Sequence, residues 1–246
     1  MICLSRRDFS ETSQILVVMS RRHGKISLLA KGIKRPRKKT AGGIDLLDVG
    51  TVRFIKSNQN LSLLTEFQPD TGYPGIRSSL AKWYASLYLA EVVDLSTKEE
   101  EPAPELFDLL IDSIEKISKS TSNEDLAKIL IFTLIKILSL IGYKPQFDTC
   151  VNCKRNLTPG DTLFFTASGG GIICGKCKNT VKEKIHIEHR AWYYLKEKVK
   201  DLTSASKVFD LSNYMLSNSI EKNLKMTSYC KNIFTQKKIN IVSKAV

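Results

Sequence analysis

The residues of this chain best spaced for chemistry are four cysteines. They form the pairs Cys150-x2-Cys153 and Cys174-x2-Cys177, separated by 20 residues. A tight knuckle can turn two such thiolates onto one ion, and a second knuckle completes a tetrahedron. The spacing is that of a structural zinc site. Between the pairs, residues 162–166 read as a strand and Gly169-Gly170-Gly171 as a turn, the pattern of a zinc ribbon over about residues 148–180. Four thiolates leave no open coordination position, so the expected Zn2+ is structural. The alternatives are four reduced, metal-free thiols, or a redox dithiol. Redox dithiols usually sit in a βαβ setting, which is absent from this pattern. Cys3 and Cys230 lack such spacing and read as small core residues.

Enzymatic chemistry finds little support. There are three histidines, none in a recognisable nucleophile–base arrangement. His186-Ile187-Glu188 matches the H-x-E of zinc deaminases, but there it precedes P-C-x-x-C, whereas here it follows both pairs. No G-x-x-x-x-G-K-[ST] phosphate loop is present. The expectation is a protein that is not an enzyme.

The second signal is cationic: Arg21, Arg22 and Lys25, then Lys31, Lys34, Arg35, Arg37, Lys38 and Lys39. Nine mutually repelling charges within 19 residues favour a surface facing a polyanion, the bland reading being a solvated loop. Phe9 and Phe54 could stack on bases, although apolar residues of a small barrel are more often core.

The elements that must carry these residues divide the chain in two. Residues 1–77 read as about five strands: near 2–4, at 15–19 and 25–31 around an Arg21-Arg22-His23-Gly24 turn, then at 46–56 and 61–67. Strands 15–19 and 25–31 would project the cationic cluster from one region of a barrel of the OB type. Residues 78–246 read as a helical domain with the ribbon embedded. Leu80, Trp83, Tyr84 and Leu87 share one helix face. Pro104 suits the first turn of a helix to about residue 118, with Leu106, Leu109, Leu110, Ser113 and Ile117 on one side. Asn123 is the expected N-cap of a helix stopping at Gly142. Two or three further helices are expected, near 188–202, 211–224 and 226–236. The fold class is thus multidomain β plus α: an N-terminal OB-type five-stranded barrel, then an α-helical domain with an embedded four-cysteine zinc ribbon.

Charge follows this division. The net values are +8 for residues 1–77, −5 for 78–149 and +10 for 150–246, giving +13 overall. Such a surplus favours nucleic acid as partner, with an anionic membrane second. The most apolar stretch, residues 126–141, carries Lys128 and Lys136 and reads as a buried helix rather than a membrane span. With no secretory signal visible, a cytoplasmic protein with reduced cysteines is expected.

Two segments resemble a known family. Arg7-Asp8-Phe9-Ser10-Glu11-Thr12-Ser13-Gln14-Ile15-Leu16, followed by Gly24-Lys25-Ile26-Ser27-Leu28-Leu29-Ala30-Lys31-Gly32-Ile33-Lys34-Arg35-Pro36, looks like the N-terminal signature of RecO. The cysteine pairs, and Leu224-Lys225 with Ser228 in a late helix, are similar too. Phe9 stands where the family usually has Tyr, Ser10 replaces a common Gly, and Lys38 replaces a small hydroxyl residue. The resemblance implies an OB barrel, a helical domain and a zinc ribbon in a bacterial, nucleoid-associated DNA repair and recombination mediator. It implies binding of single- and double-stranded DNA, annealing of complementary strands, a complex with RecR, and loading of RecA onto DNA coated by single-strand-binding protein. The acidic, apolar tail of the latter is then a candidate ligand for the basic C-terminal region, with Lys222 and Lys225 at the rim of its groove. A generic OB and zinc-ribbon module that binds nucleic acid, RNA included, is the alternative. A DNA ligase fragment would need a K-x-D-G nucleophile, which Lys31-Gly32-Ile33-Lys34 does not supply.

Overall fold

A computed structural model describes residues 1–35, 43–57, 61–197 and 201–234. The first third is a five-stranded sheet: β1 (Ile2–Asp8), β2 (Gln14–Ser20), β3 (Gly24–Ala30), β4 (Gly50–Ile55) and β5 (Ser62–Pro69). Inside-outside alternation is clearest along β3, where every second residue is buried. The order is β1-β2-β3-β5-β4, antiparallel except for the parallel β3–β5 step. The sheet curls without becoming a closed ladder. Among the described residues its edge strands are joined by a short seam, in which the Leu47 N–H donates to Cys3 O (2.9 Å) and the Cys3 N–H to Asp48 O (3.0 Å). Leu16, Val18, Ile26, Leu28, Ile33 and Ile44 fill the inside. The architecture is OB-like.

Two strand boundaries differ from the sequence expectation. β1 runs four residues past Leu4, because its polar second half still pairs with β2 from Ser5 to Asp8. β4 begins at Gly50 rather than near residue 46. The preceding segment is a turn, with Leu47 at φ 65° and the Asp45 N–H donating to the Asp48 carboxylate.

After a 3-10 turn at Pro74–Ser78 come three helices: α1 (Leu80–Ser96), α2 (Pro104–Lys119) and α3 (Asn123–Leu140). Ser79 Oγ accepts from the Ala81 N–H and caps α1. Of the residues expected to share one face of α1, Trp83, Tyr84 and Leu87 pack against the core, but the deepest burial lies elsewhere on the helix. Tyr88, Leu89, Val92 and Val93 are buried, whereas Leu80 is exposed and Trp83, Tyr84 and Leu87 are half-buried. A helix apolar nearly all round gives periodicity little to choose between. On α2 the buried set is Leu106, Leu110, Ser113, Ile114 and Ile117, with Leu109 half-buried. The cap of α3 is Ser122, one residue before Asn123. Its end is a Schellman turn, with Gly142 at φ 93° and the Tyr143 N–H donating to Leu138 O (2.8 Å).

The ribbon is a second, three-stranded sheet in the order β7-β6-β8: β6 (Leu163–Thr166), β7 (Gly171–Cys174) and β8 (Ile185–Ile187). β8 was not expected from the sequence. The helices that follow are also redistributed: α4 (His189–Leu195), α5 (Leu202–Ile220) and α6 (Thr227–Cys230), the last continued by a 3-10 turn at Lys231–Phe234. The chain leaves α4 after Leu195, with Glu197 at φ 56°, and restarts where Asp201 caps α5 through the Ser204 N–H (2.8 Å). The expected helix end at Gln236 lies outside the described residues. Cys3 and Cys230 are fully buried free thiols, and burial raises both pKa values, that of Cys3 to about 12.

Candidate metal centre and nucleic-acid interface

The first cysteine knuckle is built by backbone hydrogen bonds. The Cys150 N–H donates to Arg155 O (2.9 Å), the Lys154 N–H to Cys150 O (2.9 Å), and Lys154 turns the chain at φ 62°. This knuckle is fastened to β7, because the Val151 N–H donates to Ile172 O (2.9 Å). The second knuckle is a 3-10 turn, Gly175–Cys177, directly after β7. The Cys174 N–H points at Cys150 Sγ (3.4 Å). All four sulfurs lie within 4.8 Å of one another, with Cys153 exposed and the other three buried.

Tetrahedral coordination at about 2.3 Å per Zn–S bond needs sulfurs about 3.8 Å apart. The Cys153–Cys174 pair stands at 3.9 Å. The four thiols therefore suit a metal ion. Burial pushes the Cys174 thiol up, but hydrogen bonds from the Arg155 guanidinium and the Cys177 backbone outweigh it, leaving a pKa of about 6. At Cys174 that favours the thiolate form, whereas the neighbouring Cys177 thiol is pushed up to about 11. His186 and Glu188 are not part of the cluster. His186 sits on β8 with its ring edge-on to Phe164, and Glu188 pairs with Lys207.

A clasp beside the cysteines was absent from the sequence reading. Arg155 forms a bidentate pair with Asp161, whose carboxylate also accepts from the Thr158 N–H (2.8 Å) and hydroxyl (3.0 Å). These bonds hold the Asp161 carboxyl well below the usual carboxylate range. The Pro159-Gly160-Asp161 turn signal was its one trace in the sequence.

The described residues of the cationic cluster do not form one patch. β3 separates Arg21 and Arg22 from Lys31, Lys34 and Arg35 by its full length, about 20 Å at 3.4 Å per residue. The expectation of a single projecting region is corrected accordingly. At the β2–β3 turn the charges meet the acidic helical part. Arg21 grips Asp108 on α2 (2.9 and 3.1 Å), and Lys25 Nζ reaches Asp94 at the end of α1 (3.1 Å) with its side chain 13% exposed. The Glu100 N–H donates to Lys25 O (2.8 Å), and Ser27 Oγ to the Glu99 carboxylate (2.5 Å). Arg21 and Lys25 thus dock the sheet onto the helices. Arg22 is exposed.

At the other end Lys31 and Arg35 are exposed without an ion pair among the described residues, while Lys34 pairs with Asp8 (2.6 Å). Arg37, Lys38 and Lys39 lie outside the described residues. Of the two candidate stacking residues, Phe54 packs against the sheet interior and edges onto the His23 ring, whereas Phe9 is exposed. Lys222 and Lys225 are exposed beside the end of α5. The Lys225 and Met226 N–H groups both donate to the Glu91 carboxylate of α1 (2.8 Å each), which anchors that segment.

An OB-like sheet docked on a helical body that carries a four-cysteine ribbon is the class of protein this architecture defines. Residues 1–73 match the family described as Recombination protein O N terminal, and residues 77–226 match Recombination protein O C terminal. Similar curated proteins include the DNA repair protein RecO of Rhodopirellula baltica, 32% identical over 193 residues, covering 78% of this chain and 69% of that protein. The DNA repair protein RecO of Bacillus subtilis is 30% identical over 176 residues, covering 72% and 66%. That of Desulfitobacterium hafniense is 26% identical over 177 residues, covering 72% and 63%. The chain therefore belongs to the RecO family. Among the described residues no helix is long and apolar enough to cross a membrane.

Proposed function

We propose that this protein is a cytoplasmic DNA-repair and recombination mediator that binds single-stranded DNA, also engages duplex, and anneals complementary strands. It then acts with RecR to load RecA onto DNA coated by single-strand-binding protein. The observation that carries this reading is the match of both parts of the chain to the RecO family. The cationic end of the sheet agrees with it. A cationic surface that holds two strands lowers their mutual repulsion, so annealing needs neither a nucleophile nor ATP. Two units, 1–77 and 78–246, share the work: the sheet contacts DNA through Lys31, Lys34, Arg35, Arg37, Lys38 and Lys39, and the helical unit carries the partner surfaces. In this reading the exposed Lys222 and Lys225 contribute to binding the acidic, apolar tail of single-strand-binding protein.

Zn2+ is the proposed ion at Cys150, Cys153, Cys174 and Cys177. Four sulfur donors in two knuckles suit a closed structural site, and the ion would tie the first knuckle to β7. The deciding experiment is annealing of complementary oligonucleotides coated with the cognate single-strand-binding protein, without nucleotide. Acceleration over the protein-free rate is expected; no acceleration at any protein concentration overturns the reading.

A further inference from the structure

Phe9 stands at the tip of the turn between β1 and β2. It is the most exposed large hydrophobic residue among those described, at 62%. A single exposed apolar side chain is unremarkable by itself. The setting of this one is not. Its turn is closed by hydrogen bonds: the Phe9 N–H to Ser13 O (3.0 Å) and the Ser13 N–H to Ser10 O (3.4 Å). That turn is bolted to the one after β3. The Lys34 N–H donates to Thr12 O (3.1 Å), and the Gly32 N–H donates to the buried Ser13 hydroxyl (3.2 Å). The ring is thus presented on a braced backbone, with Lys31, Lys34 and Arg35 on the adjoining turn and Arg7 on the same turn's entering strand. Arg7, Lys31 and Arg35 make no ion pair among the described residues. The acidic groups here are Asp8, which Lys34 neutralises, and Glu11.

An aromatic face among unpaired cations fits single-stranded nucleic acid: the cations follow phosphates, and the ring stacks on an unpaired base. We infer that Phe9 is a base-stacking contact for single-stranded DNA, with Arg7, Lys31 and Arg35 holding the flanking phosphates. The inference rests on the single-stranded DNA reading above and names its contact. It supplies what phosphate contacts lack: a preference for unpaired over paired bases, since a base inside a duplex has no free face to offer.

The test compares two fluorescent oligomers of equal length, one of thymidines and one of abasic sites, titrated at two salt concentrations. Phe9→Ala should bind the thymidine oligomer about 10-fold more weakly than the wild type, within the range expected of one lost stack. It should bind the abasic oligomer equally well and keep the same salt slope on both. Phe9→Trp should retain binding and show indole quenching on the thymidine oligomer only. Unchanged thymidine affinity in Phe9→Ala, or equal losses on both oligomers, overturns the stacking role. If the wild type binds neither oligomer, the DNA-binding reading fails first, and this contact with it.

Discussion

At the scale of single residues, the sulfur cluster sets the clearest expectations. Replacing Cys174 by Ser removes one of the four sulfur donors proposed to hold an ion between β7 and the first knuckle. A structural zinc site is worth roughly 10–16 kcal/mol of apparent binding energy in small peptides at neutral pH. Cys174→Ser should therefore lose its metal by elemental analysis and melt well below the wild type. Asp161 permits a pH test. Its folded pKa lies below the unfolded value of about 3.9, so its contribution is complete above that value and fades as pH falls through the folded pKa. Asp161→Asn should be less stable than the wild type at pH 7, and the gap measured by denaturant melts should shrink below about pH 4. A gap independent of pH would mean that Asp161 acts through its backbone or its packing alone.

Among the elements, the β2–β3 turn has two constraints at one residue. Gly24 has φ 67°, and a Cβ there would meet Glu101 O at 1.9 Å. Gly24→Ala should therefore destabilise the protein by more than about 1 kcal/mol and loosen the docking of the sheet, read as a lower melting temperature. The turn was legible in the sequence because Gly24 ends a short polar run between two apolar strands. The reason for strictness was not, because Glu101 is 77 positions away. The same contrast recurs in the helices. Pro104 marked the start of α2, and Gly142 the stop of α3, since each acts on its own backbone. The break between α4 and α5 was misplaced, although the Asp201 side chain that caps Ser204 was a local signal. β8 was missed because three residues carry little periodicity and owe their state to pairing with β6.

At the scale of the whole molecule, charge is partitioned by the way the sheet docks. The acidic helices take Arg21 and Lys25 and leave the opposite end of the sheet cationic. Changing Lys34, Arg35, Arg37 and Lys38 together to Ala should weaken single-stranded DNA binding and flatten its salt dependence, by about 0.7 in log–log slope per lost phosphate contact. The content of the proposed metal and of helix should be unchanged from the wild type, as measured by elemental analysis and circular dichroism. Lys25→Ala should do the reverse, lowering thermal stability while leaving the salt slope in place. Wild-type binding and annealing by the quadruple variant would move the DNA site to the basic C-terminal region.

The sequence by itself determined what depends on near neighbours: the cysteine knuckles, whose two-residue spacing is a local geometry, most of the longer strands and helices, and the cationic excess. Tertiary structure decided which cations are spent. Arg21 and Lys25 look the same as Lys31 and Arg35 along the chain, and only the packing of α1 and α2 against the β2–β3 turn brings Asp94 and Asp108 within reach of the first two. It also decided that Phe9 faces outward while Phe54 packs in. Whether an aromatic ring is covered depends on what the rest of the chain lays over it, and residues far apart in sequence supply that cover.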